Sequence, residues 1–270
     1  TTGYNNTALG YSALSADDVG QGSTAIGYAT LMNQNFATAT DSDNTAVGIL
    51  AGNQVTTGIQ NTLIGSKAGD ALTDADYNVA VGYQALTADT LGSRSVAIGR
   101  NALLSQNFTT ATDSYNTAVG YKAGEDVTTG QSNSLIGYQA GVALTTGFSN
   151  TVLGSAALSA EDTGRYNVAI GAGALENQNS DADNHNIAIG YNSGNAVTTG
   201  TLNAIIGSFA GLALTTGYQN TVLGYGALST EDTGRFNVAI GTLALSTQNS
   251  DADNYNTAVG YHAGKAVTTG

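Results

Sequence analysis

The chain has 270 residues, a net charge of −13, and no Pro, Cys or Trp. Without Cys there can be neither disulfides nor thiolate metal sites, and seven scattered Lys and Arg argue against nucleic acid or an anionic membrane surface as a partner. No run of 18 apolar residues exists for direct membrane insertion as a helix, yet 41% hydrophobic residues and 36 Gly are too many for a polar disordered tract.

The first pattern element is Asn6-Thr7-Ala8-Leu9-Gly10, a five-residue word that returns along the whole chain. Its closing Gly falls at 10, 27, 48, 65, 82, 99, 120, 137, 154, 171, 190, 207, 224, 241 and 260. The spacing is 17 residues, stretched to 21 or 19 at every fourth step. The residue four beyond each Gly cycles Leu-Leu-Gly-Gly, from Leu14, Leu31, Gly52 and Gly69 onward. The words therefore group in fours, giving super-repeats near 10–81, 82–153, 154–223 and an incomplete 224–270. The expected organisation is one continuous repeat domain over 1–270, a window of a longer fibre, because the opening residues already lie inside the pattern.

A 17-residue unit is too short for a helix pair or a propeller blade. It suits one coil of a parallel β-solenoid, which makes the expected fold class all-β with about 15 coils of 17–21 residues. At ~4.8 Å per level, such a stack would be a rod of roughly 70 Å. Alternate residues of a strand share a face, so positions two and four of each word are expected to point together into the coil. The coil core would then be Val47, Ile64, Val81, Ile98, Val119, Ile136, Leu153, Ile170, Ile189, Ile206, Leu223, Ile240 and Val259. Position three is never polar, and it is expected to face outward as an apolar stripe that chains share. This assigns an inter-chain interface, the trimer interface if three copies assemble as the resemblance below implies, to Ala46, Leu63, Ala80, Ala97, Leu135, Val152, Ala169, Ile205, Val222 and Ala239.

Position one, Asn in 13 words and Ser23 or Ser95 in two, predicts a ladder of side-chain hydrogen bonds at a turn. Ala recurs three residues past the Gly and marks a second inward strand, and segments such as 127–130 (VTTG) close the coil. The long segments 33–43, 105–115, 176–185 and 246–255 should bulge outward and are the candidate contact surfaces.

Chemistry is sparse. His185 and His262 sit in variable slots, and no P-loop, nucleophile elbow or zinc-protease motif occurs. The expectation is a chain that is not an enzyme and that carries no cofactor. Asp at i and i+2 recurs in the long segments, where Asp181 and Asp183, then Asp251 and Asp253, are the first candidates for calcium. The reading preferred over calcium is solvated carboxylates that cap turns, since neither the EF-hand Glu nor a calcium-roll repeat is present. Eight Tyr directly follow a word's Gly, from Tyr11 to Tyr261. They read as half-buried rings packed across levels, with sugar stacking as the alternative.

The tandem words Ser95–Gly99, Asn116–Gly120 and Asn167–Gly171 resemble the head repeats of trimeric autotransporter adhesins, the YadA-like heads, over essentially the whole chain. Similar repeats occur in bacteriophage tail fibres. The coils here, at 17–21 residues, are longer than the usual head repeat. The resemblance implies a left-handed β-roll assembled as a homotrimer, located extracellularly at a cell surface or in a virion fibre. It implies adhesion to a cell-surface glycan or matrix protein, with a phage tail fibre or a passive structural filament as alternatives.

Overall fold

The computed structural model describes residues 3–250 and 253–269. Those residues contain only β-strands, turns and bends, with no helix among them, and they build a parallel β-solenoid of about 15 coils. The chain resolves into two compact units, residues 1–132 and 133–270.

In the first unit every word forms a three-residue strand: Thr7–Leu9, Thr24–Ile26, Thr45–Val47, Thr62–Ile64, Val79–Val81, Val96–Ile98 and Thr117–Val119. Each pairs in parallel with the next, word position on word position, as in Ala46 opposite Leu63. The second unit repeats this arrangement from Ser134–Ile136 to Thr257–Val259. Insert coils add a short parallel pair in the first unit, Gly20–Gln21 with Thr40–Asp41 and Gly92–Ser93 with Thr112–Asp113. In the second unit they add only single bridges, Arg165 with Asp183 and Arg235 with Asp253.

The closing Gly is a backbone requirement. A Cβ on Gly48, whose φ is +136°, would lie 2.5 Å from the Gly65 carbonyl oxygen of the next coil. Beyond that Gly the chain turns with left-handed residues two and four positions on, for example Leu50 and Gly52, or Ala29 and Leu31. Ala does recur three residues past the Gly on the inside, as Ala51, Ala68 and Ala85, but within this turn and not in a second strand.

The expected facing of the word is inverted. Position three points inward: Ala46, Leu63, Ala80, Ala97, Leu135, Ala169, Ile205 and Ala239 have no exposed surface, and Val152 and Val222 have 1%. These residues are enclosed by their own coil, so none can form the inter-chain interface assigned to them. The residues expected in the coil core face outward instead. Ile64, Ile98, Ile136, Leu153, Ile206, Leu223 and Val259 are exposed, and Val47, Val81, Val119, Ile170, Ile189 and Ile240 are half-buried. The physical reason is volume. A 17-residue coil encloses a narrow lumen, and Ala at the middle of the strand fits it where a β-branched side chain at every level would overpack it.

The Leu-Leu-Gly-Gly cycle completes the packing. Leu31, Leu86, Leu103, Leu158, Leu175 and Leu228 fill the lumen where position three is Ala or Val. In a Gly coil the volume is taken by neighbours: a Cβ on Gly69 would meet Leu63 and Leu72 methyl carbons at 2.8 Å. Two Leu levels are thus followed by two Gly levels whose space is filled by neighbouring Leu, Ile or Val side chains, which keeps the interior close-packed.

Candidate functional surfaces

Beneath each long segment lies a carboxylate whose burial the sequence pattern does not announce by hydropathy. Seven residues past the closing Gly the chain cycles acid, Gln, Val, Leu: Asp17, Gln34, Val55, Leu72, then Asp89, Gln106, Val127, Leu144, then Glu161, Gln178, Val197, Leu214. The Val and Leu fill the lumen of their coils, and the acid and Gln form a polar pair in theirs. Asp89, Glu161, Glu231 and all four Gln are fully buried.

Asp89 shows how the pair is satisfied. Its Oδ1 accepts from the Gly92 and Phe108 N–H groups at 3.0 and 3.1 Å, and its Oδ2 from Gln106 Nε2 at 2.6 Å. Gln106 Nε2 also donates to Ser95 Oγ at 2.8 Å, and its Oε1 accepts from Asn116 Nδ2 at 2.8 Å. Ser95 and Ser114 join hydroxyl to hydroxyl, and Ser114 donates to the Ser93 carbonyl at 3.1 Å. Phe108 opens the exposed stretch of the insert, so the carboxylate ties the insert to the coil interior. Burial pushes the Asp89 carboxyl above its usual range, and the bonds from Gln106, Phe108 and Gly92 offset part of that rise. In the second unit Glu161 takes the same position, accepting from Gly164 N–H, Gln178, Ser180 N–H and Asn184 at 2.7, 2.9, 3.3 and 2.9 Å. Glu231 repeats this set.

The position-one ladder is present. Asn44 Oδ1 accepts the Asn61 N–H and Asn61 Oδ1 the Asn78 N–H, both at 2.9 Å, while Asn61 Nδ2 donates to the Ala75 carbonyl at 2.8 Å. Each level thus holds the next through one buried amide.

Three files of side chains stay exposed. One is apolar and belongs to word position four, including Leu153 at 46% and Leu223 at 44% exposure, with Thr in most words at position two of the same face. Beside it runs the Tyr file, with Tyr28, Tyr83, Tyr138, Tyr191 and Tyr225 each about half exposed. Arg100 lies over the Tyr83 and Tyr121 rings, and Phe209 sits edge-on to Tyr191 and Tyr225.

The third file stands at the three residues before the word. In the first unit Arg94 lies over the Tyr77 ring at 4.8 Å and pairs with Asp113 at 2.9 Å, and Asp113 also accepts from the Tyr115 hydroxyl at 3.1 Å. The hydrogen bond to Arg94, with Tyr115 adding to it, holds the Asp113 carboxyl below its usual range. In the second unit Arg165 lies over Phe148 and pairs with Asp183, while Tyr166 stacks on His185 at 4.8 Å. Arg235, Tyr218, Asp253, Phe236 and Tyr255 repeat that arrangement.

The residues singled out for calcium are divided among other partners. Asp183 and Asp253 are paired with arginines, Asp181 accepts from Thr163 Oγ1 at 3.0 Å, and Asp251 lies outside the described residues. Among the described residues no group of three or more His, Asp or Glu is placed to hold a metal ion. His185 is exposed, whereas His262 is half-buried against Tyr261 with its Nε2 unpartnered. No described helix is long and apolar enough to cross a membrane.

Comparison with protein-family models, with curated proteins and with solved structures gave no match.

Proposed function

We propose that the chain is a non-enzymatic segment of an extracellular fibre, an adhesive and structural rod assembled from three copies. The observation that carries the association is the exposed apolar file at word position four, which is Val, Ile or Leu in every word. A parallel strand that is apolar on both faces is ordinarily covered on both, and one face here meets only solvent in a single chain. Position four places Ile, Val or Leu outward at every level, so the file is suited to a second copy with the same spacing. The number three, the left-handed sense of the coil and the adhesive role come from the resemblance to trimeric autotransporter adhesin heads. The insert segments would be presented repeatedly along the fibre, and repetition turns weak contacts into avidity.

The test is native mass by sedimentation. A trimer is expected, and a clean monomer at micromolar concentration overturns the proposal. Leu153→Lys and Leu223→Lys change only outward residues, so the coil should persist by circular dichroism while the trimer dissociates.

A further inference from the structure

Three of the seven cations in this acidic chain, Arg94, Arg165 and Arg235, occupy recurrent clusters of aromatic rings and one Asp. We propose that these clusters are recurrent subsites for uncharged pyranose saccharides. The proposal deepens the adhesive reading and rests on it for its purpose, though not for its geometry.

The clusters are not needed to build the coil. In the first super-repeat Gln21, Gly22 and Asp43 stand in the corresponding positions and the coil closes equally well. The residue just before the word is in the left-handed region throughout, and most other coils place a small or polar residue there, such as Ser132 and Ser149 at φ 58° and 56°. At the clusters the chain places Tyr115, His185 and Tyr255 at φ 51°, 50° and 51°. The cost of that region arises at Cβ and is the same for Ser as for Tyr, so what distinguishes the clusters is the aromatic surface they carry.

That surface is not buried. Tyr115 remains 56% exposed, and Tyr255 remains 67% exposed although one ring face lies flat on Phe236 with an interplanar angle of 1°. The clusters therefore present aromatic surface to solvent next to a guanidinium and a carboxylate. The C–H face of a pyranose is apolar and weakly positive, so it stacks on the negative face of an aromatic ring. Its hydroxyls need a donor and an acceptor at the ring's edge, which the Arg–Asp pair supplies. The Asp183 Oδ2 makes no bond to the protein among the described residues.

Charge selects the uncharged class. Each cluster pairs one Arg with one Asp, and in the first Asp76 also lies within electrostatic reach of Arg94 and Asp113, inside a chain of net charge −13. Anionic glycans meet the repulsion of the surrounding carboxylates. A cationic ligand would have to displace a guanidinium already seated over Tyr77, Phe148 or Tyr218. Within the second unit the two clusters are four coils apart, about 19 Å, so one linear polysaccharide can engage both.

The test is titration of the intact chain with cellopentaose and chitopentaose, read from Tyr ring resonances by NMR and by calorimetry. Millimolar to high-micromolar binding that perturbs Tyr115 and Tyr255 is expected. Tyr115→Ser and Tyr255→Ser install the residue that Ser132 and Ser149 already carry at the equivalent position, so the coil should be retained. Each should silence one cluster, and both with His185→Ser should lower polysaccharide binding by roughly tenfold or more. Tyr138→Ser, in the other aromatic file, should leave binding unchanged. No perturbation at 10 mM of either probe, binding that survives the triple variant, or tighter binding of oligolysine overturns the proposal. Native mass is read on the same sample: a monomer that binds overturns only the fibre reading, and a trimer that does not bind overturns only this one.

Discussion

The insert coils of the two units solve one problem with different parts. In the first unit the insert coil has 21 residues, the anchoring acid is Asp89, its neighbours are Ser95 and Ser114, and Phe108 is buried at 5% exposure. In the second the coil has 19 residues, the acid is Glu161, Asn167 and Asn184 replace the two serines, and Ser180 stands where Phe108 was. The longer carboxylate arm and the larger amides fill what the aromatic ring and the longer loop fill in the first unit. The solutions are not equally complete. The serine hydroxyls form a closed relay to the Ser93 carbonyl, whereas the Asn184 Oδ1 is buried without a partner, as is the Asn254 Oδ1 in the next copy. A buried unpaired amide oxygen costs about 1–3 kcal/mol, so hydrogen exchange should open the second unit's inserts before the first unit's.

Removing the acid should have the largest effect in either unit. Asp89→Ala leaves Gly92 N–H, Phe108 N–H and one Gln106 donor without acceptors, and Glu161→Ala orphans a similar set. At about 1–3 kcal/mol for each buried orphan, a loss on the order of 4 kcal/mol is expected from the urea midpoint. A loss below about 1 kcal/mol would mean that water replaces the carboxylate and that the anchor is not structural.

Phe108 separates the units next. Phe108→Ala should cost about 3 kcal/mol and release the insert to proteolysis. Ser180→Ala, half-buried and engaged through its backbone, should stay within about 0.5 kcal/mol. Equal effects would show that the two inserts are held the same way and that the comparison is misplaced.

Much of this was legible in the chain, and the failures are specific. The coil length, the parallel stacking and the Asn ladder follow from a 17-residue backbone period, which no side-chain choice disguises. The facing of the word was not legible from alternation, because positions three and four are both apolar, Thr at position two suits either face, and a one-residue shift exchanges the faces. Side-chain size was the usable signal: the narrow interior takes Ala46 and Ala80, and the exterior takes Val47 and Val81. Asp89 and Gln106 read as surface residues by hydropathy. Only their fixed place in the acid-Gln-Val-Leu cycle, in step with Val127 and Leu144, marks them as interior.

A smaller effect sharpens the match between acid length and surroundings. Glu161→Asp pulls the carboxylate away from Gln178 and Asn184 and should cost about 1–3 kcal/mol. If the shorter acid is matched to serine, as Asp89 is near Ser114, combining it with Asn184→Ser should cost less than the sum by at least about 0.5 kcal/mol. Strict additivity would show that the two positions differ between the units independently.

The smallest effect contrasts two carboxylates of one insert coil region, Asp89 and Asp113, by pH. Burial raises the Asp89 carboxyl, so the protonated form is relatively favoured in the fold. Its contribution is fully present below the usual carboxylate range and is lost as pH rises through the raised folded value. Asp113 is lowered by Arg94, so its contribution is present above the usual range and is lost as pH falls toward the lowered value. The stability difference between the native chain and Asp89→Asn should therefore shrink as pH rises through and above the usual carboxylate range. The difference for Asp113→Asn should instead grow as pH rises from below the usual carboxylate range up through it, and this second trend should weaken in high salt because the pair is exposed. Two slopes of the same sign would mean that Asp89 is held by its donors more strongly than burial disfavours its charge, and the buried anchor would then act as an acid-labile latch on the insert.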